Sequence, residues 1–221
     1  MSTDIPSKQR LRVRFTRDET LKYIGHLDMA RTWQRIARRA ALPLAYSEGF
    51  NPQPKLSFAA ALPVGCTSDH EELDLVLSPP CVIDEVQAQL NRAVPPGMKV
   101  SSIVEMPLNA PALQMQLAAA EFEITVEGEA AIGLLSERVL QFLAATEVMR
   151  DRRGKVYNLR PLVQALSIAS AQADRAAVIR SRLQATPAGT GRPDELAAAL
   201  GLDPATVKIR RTKLIFLDKT S

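Results

Sequence analysis

Between residues 10 and 15 the chain reads Arg10-Leu-Arg-Val-Arg-Phe, cation and apolar residue in strict alternation. This period of two constrains the fold more than any other feature. Only an extended strand sends successive side chains to opposite faces, so Leu11, Val13 and Phe15 must meet a core while the arginines line the other face. The alternation returns in Glu71-Glu-Leu-Asp-Leu-Val-Leu, which pairs naturally with a strand over Lys55–Leu62, and Met98–Met106 reads as a further strand. Helical periodicity occupies 26–41 and again Ile83–Ala93, where Val82, Val86 and Leu90 recur at i, i+4 and i+8 before Pro95-Pro96-Gly97 ends the pattern. The order βαββαβ predicts an α+β, ferredoxin-like split βαβ sandwich over residues 1–107.

Pro107–Pro111 reads as a junction, and residues 112–221 as a second, elaborated α/β sandwich domain. Its expected elements are a strand at Ala120–Glu127, a helix at Ala130–Ala144 and a strand pair over Val148–Tyr157 turning at Arg153-Gly154. Further strands are expected at Leu162–Ala169 and Ala176–Leu183. A short helix begins at Arg192-Pro-Asp-Glu-Leu, where Pro193 suits a first turn and Gly201 an end, and Val207–Leu217 reads as a closing strand. No residue-level repeat links the halves.

A length of 221 residues suits one large domain or two small ones. With 46% hydrophobic and 24% charged residues the chain is too apolar to be disordered. Its longest apolar run, Phe58–Leu62, is far short of the ~20 residues of a membrane-spanning helix, and the N-terminus lacks a signal-peptide apolar region, so a cytoplasmic location is expected. Two cysteines, Cys66 and Cys81, exclude a disulfide scaffold and a four-cysteine metal site. Charge is segregated: residues 1–60 carry a net +6, 61–150 a net −9 and 151–221 a net +7. Two readings remain open. The basic ends can form one positive surface, or basic and acidic strands can neutralise each other as neighbours.

The helix His26-Leu-Asp-Met-Ala-Arg-Thr-Trp-Gln-Arg-Ile-Ala-Arg-Arg-Ala-Ala holds the strongest candidate site. At ~100° per residue, Arg31, Arg35, Arg38 and Arg39 fall within about 100° of arc, opposite Met29, Ala30, Trp33, Ile36, Ala37 and Ala40. Four planar guanidinium forks with Asp28 as the one nearby acid suit phosphate groups, whereas the plainer reading is a solvated face favoured by the helix dipole. The loop Ser47-Glu-Gly-Phe-Asn-Pro-Gln-Pro follows. Tyr46, Phe50, Asn51 and Lys55 supply the aromatic and basic mix that suits single-stranded RNA. On local grounds the loop is better read as a rigid connector whose Phe50 plugs the core.

His26 and Asp28 could form a base and its orienter, but a spacing of two puts them on different sides of a helix. With His70 the only other histidine, a metal site lacks ligands. No phosphate-binding glycine loop, nucleophile elbow or zinc-protease motif occurs, so no catalytic residue and no cofactor are implied, and the chain reads as a non-enzyme.

Several segments nevertheless carry a resemblance: Arg12-Val-Arg-Phe, Gly25-His-Leu-Asp, Arg38-Arg-Ala, Ser47-Glu-Gly-Phe-Asn-Pro-Gln-Pro-Lys, Leu62-Pro-Val-Gly and Glu71-Glu-Leu-Asp. Tyr157-Asn-Leu-Arg-Pro, Arg192-Pro-Asp-Glu-Leu and Arg211-Thr-Lys-Leu extend it less specifically over nearly the whole chain. Together they resemble the radical-SAM-linked protein family, a domain of unknown function fused to, or encoded apart from, a cobalamin-binding radical SAM enzyme. His26, Asp28, Ser47, Gly49 and Arg160 fall on its motifs. The family tends to have Ser, His and Asp where this chain has Gly25, Gln53 and Asn158. The resemblance implies a radical SAM enzyme as partner. Joined to the arginine helix, it leads to the expectation of a non-catalytic accessory protein that binds RNA or another polyanion. The alternative is a protein-docking module on that enzyme or a ribosome-linked assembly. Neither the RNA species nor the oligomeric state is readable.

Overall fold

A computed structural model describes residues 8–128, 134–172 and 176–217, which divide into two compact units. The first comprises residues up to 64 and 68–116, the second residues 65–67 and 117 onward. The fold is α+β, with predominantly antiparallel strands.

In the first unit the alternating segment forms β1 (Gln9–Arg17), followed by α1 (His26–Arg39), β2 (Leu56–Phe58), β3 (Cys66–Leu77), α2 (Ile83–Ala93) and β4 (Met98–Met106). The strand order is β2-β3-β1-β4, antiparallel at each pairing. This is the expected ferredoxin-like βαββαβ topology. The strand expected at Lys55–Leu62 is only three residues long, because Pro54 precedes it and the chain leaves β3 after Phe58. Leu11, Val13, Phe15, Leu73, Leu75 and Leu77 line one sheet face, where α1 buries Met29, Trp33, Ile36, Ala37 and Ala40 and α2 buries Val86, Leu90 and Ala93. Trp33 is wholly buried and meets Phe15 edge to face, with ring centroids 4.9 Å apart. A bulge at Ser101 moves the inward set of β4 from Met98 and Val100 to Ile103. Residues 107–116 pack with this unit because the Arg10 guanidinium donates to the carbonyls of Ala110 and Pro111.

In the second unit β5 (Leu117–Glu127), α3 (Leu135–Ala144), β6 (Met149–Arg152), β7 (Lys155–Asn158), β8 (Val163–Gln172), β9 (Ala176–Thr186), β10 (Gly189–Thr190), α4 (Pro193–Ala199) and β11 (Lys208–Phe216) follow in order. The start of the helix expected at Ala130–Ala144 lies outside the described residues. Within the sheet β9 pairs with β8, β10 and β5, and β5 with β11, all antiparallel. Setting aside the β6–β7 hairpin and β10, this is a second βαββαβ, elaborated by insertions.

The charge segregation is used up largely within each sheet. Arg10 and Arg12 bond Asp74, and Arg14 bonds Glu72. In the second unit Arg180 and Arg210 bond Glu123, Arg182 bonds Glu121, and Lys208 bonds Glu127. Basic strands thus neutralise acidic neighbours across the ladder. Of the two readings of the charge pattern, strand-to-strand neutralisation accounts for seven of the fourteen Lys and Arg residues on the described strands.

Candidate nucleic-acid interface

α1 starts at Gly25, whose extended backbone receives the first helical bond through its carbonyl from the Met29 N–H (2.9 Å) without a side-chain cap. The buried stripe from Met29 to Ala40 turns the opposite face outward, and there the four expected arginines part company. Arg31 bonds Asp28 one turn back at 3.1 Å, an exposed i,i+3 pair worth well under ~1 kcal/mol. Arg39 lies at the edge and bends onto the C-terminal end of α2, donating to the Ala93 carbonyl. That carbonyl end carries partial negative charge, which attracts a guanidinium. Arg35 and Arg38 are exposed and, among the described residues, their side chains make no hydrogen bond or ion pair. The free stripe is therefore narrower than helical periodicity alone predicts.

The loop after α1 is closed at its neck. Tyr46 and Pro54 form an isolated antiparallel bridge. The Ser47 N–H donates to the Gln53 carbonyl at 2.8 Å, and the Gln53 N–H donates to Ser47 Oγ at 2.9 Å. Gly49 adopts φ +122°, a conformation strained for any residue with a Cβ. Asn51 Oδ1 accepts from Gln53 Nε2. Lys55 joins the neck to β2 by its backbone, its N–H donating to Ala45 and its carbonyl accepting from Val76, while its side chain is exposed.

Phe50 does not plug the core. It stands 112% exposed at the loop's tip, because a loop pinned at 46–47 and 53–54 carries its middle away from the sheet. Tyr46 is 51% exposed and lines, with Gln34, Arg38, Pro52, Gln53 and Pro54, a cavity of about 270 Å³ between α1 and the loop. Arg38 and Tyr46 are thus brought together in one concavity. Periodicity did not single out Gln34, although its position one turn before Arg38 places it on the same face.

The remaining motif residues have local structural partners. His26 stacks edge to face on Phe58 at 5.4 Å, and Asp28 pairs with Arg31, so the two do not form a dyad. Arg160 donates to the carbonyls of Val163 and Leu143 and lies 5.8 Å from the Phe142 ring, tying β8 to α3. Arg211 is buried with its guanidinium 5.5 Å from the Phe122 ring. Neither Cys66 nor Cys81 is in a disulfide. Among the described residues no group of three or more His, Cys, Asp or Glu side chains could hold a metal ion, and no helix is long and apolar enough to cross a membrane.

A family model described as an uncharacterized protein conserved in bacteria, DUF2344, matches residues 10–193. No curated protein matches the chain. Among solved structures, a chain from the crystal structure of a Cbf5-Nop10-Gar1 complex is 11% identical with a TM-score of 0.45, covering 92% of this chain and 48% of its own length. This chain thus spans about half the length of that match. A putative glycine cleavage system transcriptional repressor is 14% identical with a TM-score of 0.26, covering 95% of this chain and 98% of its own.

Proposed function

We propose that this chain, which belongs to the DUF2344 family of uncharacterized proteins conserved in bacteria, is an accessory protein that binds single-stranded RNA through α1 and the loop behind it. One observation carries the reading: the unpaired guanidinium of Arg38 shares a cavity with Tyr46, beside a pinned loop that presents Phe50 wholly to solvent. Arg35, Arg38 and Lys55 would meet phosphates, with Arg31 joining at the cost of only a weak pair. Phe50 would stack on a base, an interaction of ~1–3 kcal/mol that needs no particular sequence. The partner expected from the sequence motifs is a radical SAM enzyme, which would supply the chemistry while this chain positions substrate.

Anisotropy titration of a fluorescent oligouridine tests the reading. Arg35→Ala with Arg38→Ala should weaken binding at least ~10-fold, and Phe50→Ala by ~5-fold or more, the lower end of a lost stack. Unchanged affinity in both variants would overturn it. A second reading, docking on a protein partner without nucleic acid, is favoured by the exposure of Tyr23 and Leu27 around the start of α1. Co-purification of the radical enzyme that survives nuclease treatment but is lost in Leu27→Asp, without RNA binding, selects it.

A further inference from the structure

The second unit holds a cavity of about 430 Å³ bounded by the β6–β7 hairpin, the β9–β10 turn and the residue preceding α4. Arg152, Arg153, Lys155, Tyr157, Thr190 and Arg192 are among its lining residues. Residues far apart in the chain, Tyr157 and Arg192, thus converge on one concavity, and nothing in the proposed RNA interface uses them.

The charges around the cavity do not cancel. Glu195 holds Arg150 at 3.0 Å and lies 4.0 Å from Arg152. Asp194 pairs with Arg192 at 2.8 Å, and Asp151 accepts the Gly154 N–H. Five cations thus face three carboxylates, and among the described residues the Arg153 and Lys155 side chains make no hydrogen bond or ion pair. Among the described residues the Tyr157 hydroxyl, Arg192 Nε and Asp194 Oδ1 are buried without hydrogen-bond partners, a costly state. Arg153 also stands at φ +54° with Gly154 at +76°, in a two-residue turn where Asn or Gly is ordinarily found.

We infer that this cavity is a second anion site, taking a phosphate monoester of mononucleotide size. Phosphate offers several acceptor oxygens to a lining rich in donors, and the volume falls within the range of small-molecule sites. Arg153 and Lys155 carry the binding charge. Glu195 and Asp194 hold the flanking guanidiniums in place, and Leu162 and Ala188 supply an apolar wall.

Calorimetric titration of the full chain with adenosine 5′-monophosphate, ribose 5-phosphate and adenosine tests this. Both phosphates should bind saturably and adenosine should not. Arg153→Asn with Lys155→Gln should lower affinity at least ~10-fold; Asn suits the turn, so an unchanged thermal midpoint should accompany the loss. Arg35→Ala with Arg38→Ala should bind the monophosphate as wild type does, which separates this site from the RNA interface. A 5′-phosphorylated oligoribonucleotide that binds the Arg35→Ala/Arg38→Ala variant more tightly than its 5′-hydroxyl twin does, and that loses this advantage when Arg153→Asn/Lys155→Gln is added, would identify an RNA end as the phosphate's source. Absence of saturable binding by every phosphate probe, or equal affinity in Arg153→Asn/Lys155→Gln and wild type, would overturn the inference.

Discussion

Glu72 on β3 is buried, its carboxylate bonded by Arg14 at 2.9 Å and His70 at 2.8 Å. Burial pushes its carboxyl up, but the hydrogen bonds from His70 and Arg14 outweigh that and hold it below the ordinary glutamate value. A carboxyl lowered by folding binds fewer protons in the folded state. Its stabilisation is therefore complete above the unfolded value of about 4.3 and is lost as pH falls through the lower folded value. Glu72→Gln should cost about 1.5–3 kcal/mol at pH 7, the scale for hydrogen bonds to a charged group, since Arg14 is half-exposed. The gap from wild type should narrow as pH falls below about 4, and urea unfolding at pH 7, 5 and 3.5 measures it. A gap constant across that range would refute the assignment.

At the scale of elements, the unit-one sandwich depends on a close approach between the β1–α1 turn and the α2–β4 turn. Asp18 Oδ1 accepts from the Thr20 N–H and hydroxyl, and the Asp18 N–H donates to the Gly97 carbonyl at 2.9 Å. Gly97 has φ +86°, and a Cβ there would overlap Thr20 Oγ1 and Asp18 Oδ1. Left-handed backbone alone costs roughly 1–2 kcal/mol for a residue with a side chain. Gly97→Ala should then destabilise by more than ~2 kcal/mol, read as a lowered urea midpoint at constant slope. Gly49→Ala, with φ +122° but open space around it, tests the strain without the overlap and should cost less.

Over the whole molecule, neutralisation within each sheet limits what the basic composition can do. With Arg10, Arg12, Arg14, Arg180, Arg182, Lys208 and Arg210 paired inside their own units, the RNA interface has four cations to offer: Arg31, Arg35, Arg38 and Lys55. Each phosphate neutralised on a single strand contributes about −0.7 to the slope of log K against log salt, so the slope should be no steeper than about −3. A titration between 50 and 300 mM salt reads it, and a markedly steeper slope would require cations beyond this interface.

The sequence by itself determined the strands, the helices and their buried faces, because a side chain's direction follows from local periods of 2 and 3.6. Leu11, Val13 and Phe15 go inward for the reason Trp33 and Ile36 do, and the βαββαβ order of residues 1–107 follows from reading those periods along the chain, whereas the second βαββαβ emerged only from the strand pairings of the folded second unit. Only the tertiary structure decided which charges stay free. Arg12 meets Asp74 across 62 residues through strand register, Arg39 meets Ala93 through helix packing, and Phe50 faces water because a neck of backbone bonds holds its loop off the core. A partner chosen by register or packing leaves no periodic mark in the sequence. For the same reason Tyr157 and Arg192 show no sign of sharing a cavity until the chain is folded.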